Sequence, residues 1–150
     1  MLFTFTYSGK VRGQGRPRFA YGHAYESNTD KRYKLDIRQQ YQTRHGPHFG
    51  AQPLGVTIDV MRALPKSIPK FVANQDDLGK PDVDNVAKAV LDALNGVAFD
   101  DDTQIVSLTV RKFPRVHMDC DRMRITLATV ADDLLYPYEF ADERGNGEAL

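Results

Sequence analysis

The strongest constraint on this chain is the stretch Lys80–Gln104, KPDVDNVAKAVLDALNGVAFDDDTQ. Val86, Val90, Leu91, Leu94 and Val97 recur at helical spacing, so a helix here has one apolar face. Pro81 lacks an amide hydrogen and its ring would clash with a preceding turn, so the helix starts after it. Asp84 or Asn85 can accept from the free N–H groups of the first turn. Asn95-Gly96 supplies a stop, because Gly tolerates the left-handed cap. Carboxylates bracket this unit, with Asp82 and Asp84 before it and Asp100, Asp101 and Asp102 after it. Taken singly, each Asp reads most simply as a cap or a turn residue. A cap accounts for Asp84 but not Asp82, and a turn needs one Asp rather than three. A hard divalent cation, which takes oxygen ligands, accounts for the set. Lys88 lies one helical turn past Asp84, near the same face.

Around this unit the chain reads as alternating strands and helices. LFTFTY at residues 2–7 alternates and is rich in aromatics and Thr, which predicts a strand. Residues 9–22 form a loop containing several glycines. Gly13-Gln14-Gly15 is no dinucleotide fingerprint, because no helix follows at the required place. GRPRF within it holds Arg16 and Arg18 extended around Pro17, with Phe19 beside them. Arginine forks match phosphate oxygens, and an aromatic ring can stack on a base.

Helix formers then dominate from Asn28 to Gln42. Ser27, Asn28 or Thr29 can cap this helix. Tyr33, Ile37 and Tyr41 share one face, and Lys31, Lys34 and Arg38 the other. HGPHFGAQP breaks the helix; His45 and His48 lack a matching ligand nearby and read as exposed loop residues. LGVTIDVMR at 54–62 predicts a second strand. A long connection with prolines and lysines leads to Pro81. TQIVSLTVRKF predicts a third strand and Arg122–Val130 a fourth, joined as a hairpin by FPRVHMDC, with Cys120 a small strand residue. The order strand-helix-strand-helix-strand-strand implies one α+β domain, a mixed four-stranded sheet with helices on one face. Residues 131–150 read as an acidic tail outside it.

Composition excludes several classes. Twenty basic residues balance twenty acidic ones, which argues against indiscriminate DNA binding. The distribution is uneven: Lys10 to Arg44 is basic, while the centre and the last twenty residues are acidic. Such asymmetry can set a phosphate-binding surface beside a metal-binding one. No stretch approaches the ~20 apolar residues that span a bilayer. The first residues lack a signal-peptide pattern. Cys120 is alone, so there is no intrachain disulfide and no thiolate zinc cluster. A cytoplasmic setting is expected.

KPDVDNVAKAVLDALNG followed by FDDDTQI, together with GQGRPRF and the AY before a basic helix, resembles the RusA family of Holliday junction resolvases, in its phage-type branch. The resemblance covers about Met1 to Val130. It implies a Mg²⁺-dependent endodeoxyribonuclease, with Mn²⁺ able to substitute, that acts on four-way junctions as a homodimer. By it, Asp82 and Asp84 match the paired metal-binding aspartates, Lys88 the catalytic lysine and Asp102 the distal aspartate. Asp101 aligns with the neighbouring acid, and Asp100 is extra. Lys10, Arg16, Arg18 and Lys80 are the expected DNA contacts. The residues themselves agree: phosphodiester hydrolysis needs ligands for a metal and a fixed positive charge at the phosphate. Two other readings are a metal-dependent nuclease on other branched or flapped DNA, or a phosphohydrolase on nucleotides, and a catalytically silent DNA-binding module that keeps the basic surface.

Overall fold

The computed structural model describes residues 1–73 and 75–130; the expected acidic tail, 131–150, lies outside them. In chain order the elements are β1 (Leu2–Ser8), β2 (Arg18–Ala20), β3 (His23–Tyr25), α1 (Asn28–Thr43), β4 (Leu54–Met61), β5 (Ala63–Leu64), α2 (Val83–Leu94), β6 (Ile105–Lys112), β7 (Val116–His117) and β8 (Arg122–Thr129). Short 3-10 turns occupy Lys70–Val72 and Asp102–Gln104.

The four long strands form the expected mixed sheet, in the order β1-β8-β4-β6. Strand β8 runs antiparallel to both β1 and β4, and β6 runs parallel to β4. The expected hairpin between β6 and β8 is absent, because β4 lies between them. Helix α2 is a crossover that returns the chain to the starting edge of β4, so β6 must run parallel to it. The segment after β6 then passes the end of β4, where β7 pairs in parallel with β5. Cys120 lies in this connection rather than in a strand.

Period-two patterning settles which sheet face is covered. Val56, Ile58 and Val60 of β4 are buried with Met123, Ile125 and Leu127 of β8. Against them α1 sets Tyr33, Ile37 and Tyr41, and α2 sets Val86, Val90 and Leu94. Tyr41 meets Phe3 and Phe5 edge-on, with centroids 5.3 and 5.2 Å apart. On the opposite face Asp59 is bound by Arg111 and Arg124, at 2.7 and 2.9 Å.

Several local expectations change. Ser27 caps α1, accepting from the Asp30 amide at 3.2 Å. The cap of α2 is Asp82, not Asp84 or Asn85, and its side chain makes no capping hydrogen bond. The helix begins at Val83, which puts Asp84 and Asn85 inside its first turn. The basic face of α1 is partly structural: Lys34 bonds Asp92 and Glu26, and the Arg38 Nε donates to the Ala93 carbonyl at 3.0 Å. The loop at 9–22 contains most of an unforeseen ribbon, β2–β3, whose three-residue strands are exposed and too short to show a period.

Candidate active site

A parallel β4–α2–β6 crossover places the start of α2 where β1 and β4 end and β8 begins. A cleft of about 830 Å³ opens there. Lys10 to Gln14 follow β1, Arg62 and Ala63 follow β4, Lys80 to Asp82 and Asn85 open α2, and Arg115 and Asp119 to Asp121 precede β8.

Two glycines let the loop after β1 approach. A Cβ at Gly13 would stand 2.9 Å from the Asn85 Cβ and 3.1 Å from the Pro81 Cβ. At Gly15 it would meet an Asp30 carboxylate oxygen at 2.1 Å. The Gln14 amide can therefore donate to the Asn85 carbonyl, at 2.9 Å. Asp121 holds the cleft floor from the other side. Its carboxylate accepts from the Val11 amide at 3.0 Å and the Ala63 amide at 2.7 Å, and its carbonyl accepts from Gly9 at 3.1 Å.

Asp82 lines the cleft, Asp84 and Lys88 follow it along α2, and all three are exposed. None of their side chains has a hydrogen bond or ion pair among the described residues, and no salt bridge joins Lys88 to Asp84. The second acidic group, past the end of α2, is built differently. The Gln104 side-chain oxygen accepts from the Asp100 and Asp101 amides at 2.9 and 3.0 Å. Its amide nitrogen donates to the Gly50 and Gln52 carbonyls, both at 2.7 Å. Asp101 accepts from the Thr103 hydroxyl and from the Asn95 amide. The Thr103 hydroxyl first, and Asn95 next, hold its carboxyl below the usual range. His48 accepts from the Gly50 amide through Nδ1 and sets Nε2 3.4 Å from Asp100, so it is more engaged than a free loop histidine.

The three expected metal ligands are not brought together among the described residues. Asp82 and Asp84, two residues apart at the start of α2, carry carboxylates with no side-chain partner among the described residues, and a divalent cation that keeps most of its waters needs few such ligands. Asp102 does not join them: among the described residues no three Asp, Glu, His or Cys side chains stand close enough to hold one ion. Of the expected DNA contacts, Lys10 and Lys80 line the cleft beside Asp82. Arg16 and Arg18 instead line a groove with Ser27 and Thr29. Arg12, Arg62 and Arg115 also line the cleft and were not foreseen. They come from three separate connections, and no local pattern marks them; the Arg115 Nη2 reaches the Ala63 carbonyl, 52 residues away, at 2.7 Å.

Comparison with known proteins gives two matches. Residues 8–127 match the family described as Endodeoxyribonuclease RusA. The chain is also 31% identical over 130 residues to an uncharacterized protein, YqaN, of Bacillus subtilis (strain 168), an alignment spanning 76% of this chain and 92% of that protein.

Proposed function

Given that the chain belongs to the RusA family of endodeoxyribonucleases, we propose that it resolves four-way DNA junctions, in the cytoplasm, by Mg²⁺-dependent phosphodiester hydrolysis as a two-fold dimer. The observation that carries this reading is the Asp82–Asp84 pair, unpartnered among the described residues, whose first member lines a cleft with Lys10, Arg12, Lys80 and Arg115. A single chain with buried or internally paired carboxylates would have nothing to offer a cation.

Asp82 and Asp84 would hold the ion, Mg²⁺ or Mn²⁺ in its place. Bound there, it supplies Lewis-acid polarisation of the scissile phosphate. Lys88, free of any ion pair among the described residues, adds a compact positive charge where the phosphate gains negative charge. Lys10 and Lys80 neutralise flanking phosphates, a contact type that gives affinity without sequence preference. The exposed rings of Phe19 and Tyr21 on the β2–β3 ribbon offer stacking faces for bases unpaired at a branch point.

The place of Asp102 argues for a second copy. Twelve helical residues span about 18 Å, while ion–oxygen bonds are about 2.0–2.6 Å. Asp102 past one end of α2 therefore belongs with the Asp82–Asp84 pair of another subunit, if two copies pack with α2 antiparallel. The sheet offers an edge for this. Strand β6 is outermost, with Val106 and Leu108 left 50% and 45% exposed, and Val83 opens α2 at 43%. A two-fold pair of sites also suits a junction, which is nearly two-fold symmetric and needs paired cuts.

The test is cleavage of a four-way junction, a flap, plain duplex and free nucleotides, each with and without Mg²⁺. Paired symmetric incisions in the junction alone, only with Mg²⁺, are expected. Equal cleavage of flap and junction would move the substrate to branched DNA in general, and cleavage without added metal would end the metal reading.

A further inference from the structure

We propose that Arg62 and Asp77 are positioning residues for the Asp82–Asp84 pair, forming a buried clamp on the backbone that delivers it. The inference rests on reading that pair as the metal-binding end of α2. The connection from β5 to α2 is long, and its one regular element among the described residues is the turn Lys70–Val72. A long surface connection is ordinarily among the least constrained parts of a fold. Its last residues are nonetheless held tightly.

The Asp77 carboxylate is 2% exposed, although it lies in a loop. It accepts from Arg62 Nε at 2.7 Å, from Arg62 Nη2 at 2.9 Å and from the Gly79 amide at 3.1 Å. The third guanidinium nitrogen, Nη1, donates to the Lys80 carbonyl. From the end of β6, Lys112 Nζ donates to the Gly79 carbonyl. Two consecutive carbonyls, two and three residues ahead of Asp82, are therefore each held by a cation rooted at the end of a sheet strand. Arg62 follows β4 and Lys112 ends β6, so the parallel pair of strands sets where α2 begins.

A buried ion pair is a poor device for stability alone, because desolvation offsets most of its attraction. It is a good device for direction. The guanidinium fork is planar and donates along fixed lines, and here it is engaged at all three nitrogens. Lysine has one nitrogen and cannot hold the Asp77 carboxylate and the Lys80 carbonyl in the same way. Although Arg62 lines the cleft, three of its five donors are committed to Asp77 and Lys80 and its charge is paired with Asp77, so its contribution to DNA affinity is expected to be small.

Partners behind a metal ligand typically change metal affinity or activity by about 10–100-fold when removed. The experiment measures Mn²⁺ affinity of the full chain by water-proton relaxation, junction affinity in chelator, and the melting temperature. The variants are Asp77→Asn, Arg62→Lys and Lys112→Met, with Asp82→Asn as reference. Asp77→Asn and Arg62→Lys are expected to weaken Mn²⁺ binding about 10-fold or more while junction affinity in chelator stays at the parent value. Lys112→Met, which removes one anchor at an exposed site, is expected to show a smaller loss in the same direction and keeps the test available if the buried variants do not fold. Lower melting temperatures with unchanged Mn²⁺ affinity would reduce the clamp to loop packing and overturn the proposal. If Asp82→Asn itself binds Mn²⁺ like the parent, the metal reading of the pair fails, and the clamp has nothing to position.

Discussion

At the start of α2, Asp82 and Asp84 face solvent with no side-chain partner among the described residues. Past its end, Asp101 is bonded to Thr103 and Asn95, and Gln104 stitches the Asp100–Asp101 backbone to the loop before β4. The same residue type thus serves two purposes within one sequence unit. Where a carboxylate is satisfied by hydroxyls and amides, it shapes a loop. Where it is held at a fixed place and left unsatisfied, it is available to a ligand. Asp102 is the exception at the bonded end: its neighbours are locked, and its own side chain has no partner among the described residues.

The largest expected effect breaks the comparison by mixing subunits. Asp82→Asn and Asp102→Asn are each expected to abolish junction cleavage while junction binding persists, since binding rests on phosphate contacts elsewhere. Co-refolding the two inactive variants should restore nicking, because a mixed dimer would contain one site with both native carboxylates. No recovery in verified mixed dimers would mean that each chain carries its own complete site, or that the two ends do not cooperate.

Next comes Lys88→Met, which keeps the apolar stem and removes the charge. A preorganised positive group is worth on the order of 10²–10³ in rate, so single-turnover cleavage should fall by that factor with Mn²⁺ and junction binding intact. Cleavage at the parent rate in saturating Mg²⁺ would remove Lys88 from the chemistry. The simplest alternative, a salt bridge, would then stand, although none joins Lys88 to Asp84 among the described residues.

Gln104→Ala probes the bonded end. It removes four hydrogen bonds to backbone, two of them to carbonyls on the neighbouring loop. Stability should drop by about 1–3 kcal/mol, and cleavage by about 10–100-fold through misplacement of Asp102. A stability loss without a rate loss would detach Asp102 from the site.

A milder change is expected in the groove away from both ends of the helix. Replacing Arg16 and Arg18 by Ala should weaken junction binding and flatten its salt dependence by a slope of about 1 per lost phosphate contact. An unchanged slope would leave that loop without DNA contacts.

The smallest effect concerns acid. Asp101 is held below the ordinary carboxyl value of 3.8 by Thr103 and Asn95. A depressed folded value means that its contribution is present above the unfolded value and lost as pH falls through the folded one. Asp101→Asn should therefore lower the melting temperature slightly at neutral pH, and the gap from the parent should close below about pH 3.8. A gap that persists to lower pH would show the contribution to be packing rather than charge.

The sheet and both helices were legible because their apolar periods are long and regular. Tyr33, Ile37 and Tyr41, or Met123, Ile125 and Leu127, declare a buried face without help from distant residues. The strand order was less legible: adjacency in sequence favours a hairpin between β6 and β8, and only the crossover through α2 forces β4 between them. Of the site, Asp82, Asp84 and Lys88 stand out because they share a few turns of chain. Asp121, Arg115 and the Arg62–Asp77 clamp do not, since each acts on residues 15 to 110 positions away. Their role is decided by which connections meet at one end of the sheet, and no local spacing encodes that.

The position of β8 has a consequence for the life of the chain before it is finished. This strand is the last of the sheet to be synthesised, yet it lies inside, between β1 and β4, with Leu2 opposite Ala128 and Leu54 opposite Thr129. Every carboxylate of the candidate site precedes it. A growing chain that has already exposed Asp82 to Asp102 still lacks the strand that joins its first strand to the rest, and such distant pairings form slowly. The acidic residues therefore emerge from the ribosome before the cleft at the start of α2 exists, and nuclease activity is expected only after residue 129 is free to pair. Translation itself would delay the cutting of DNA.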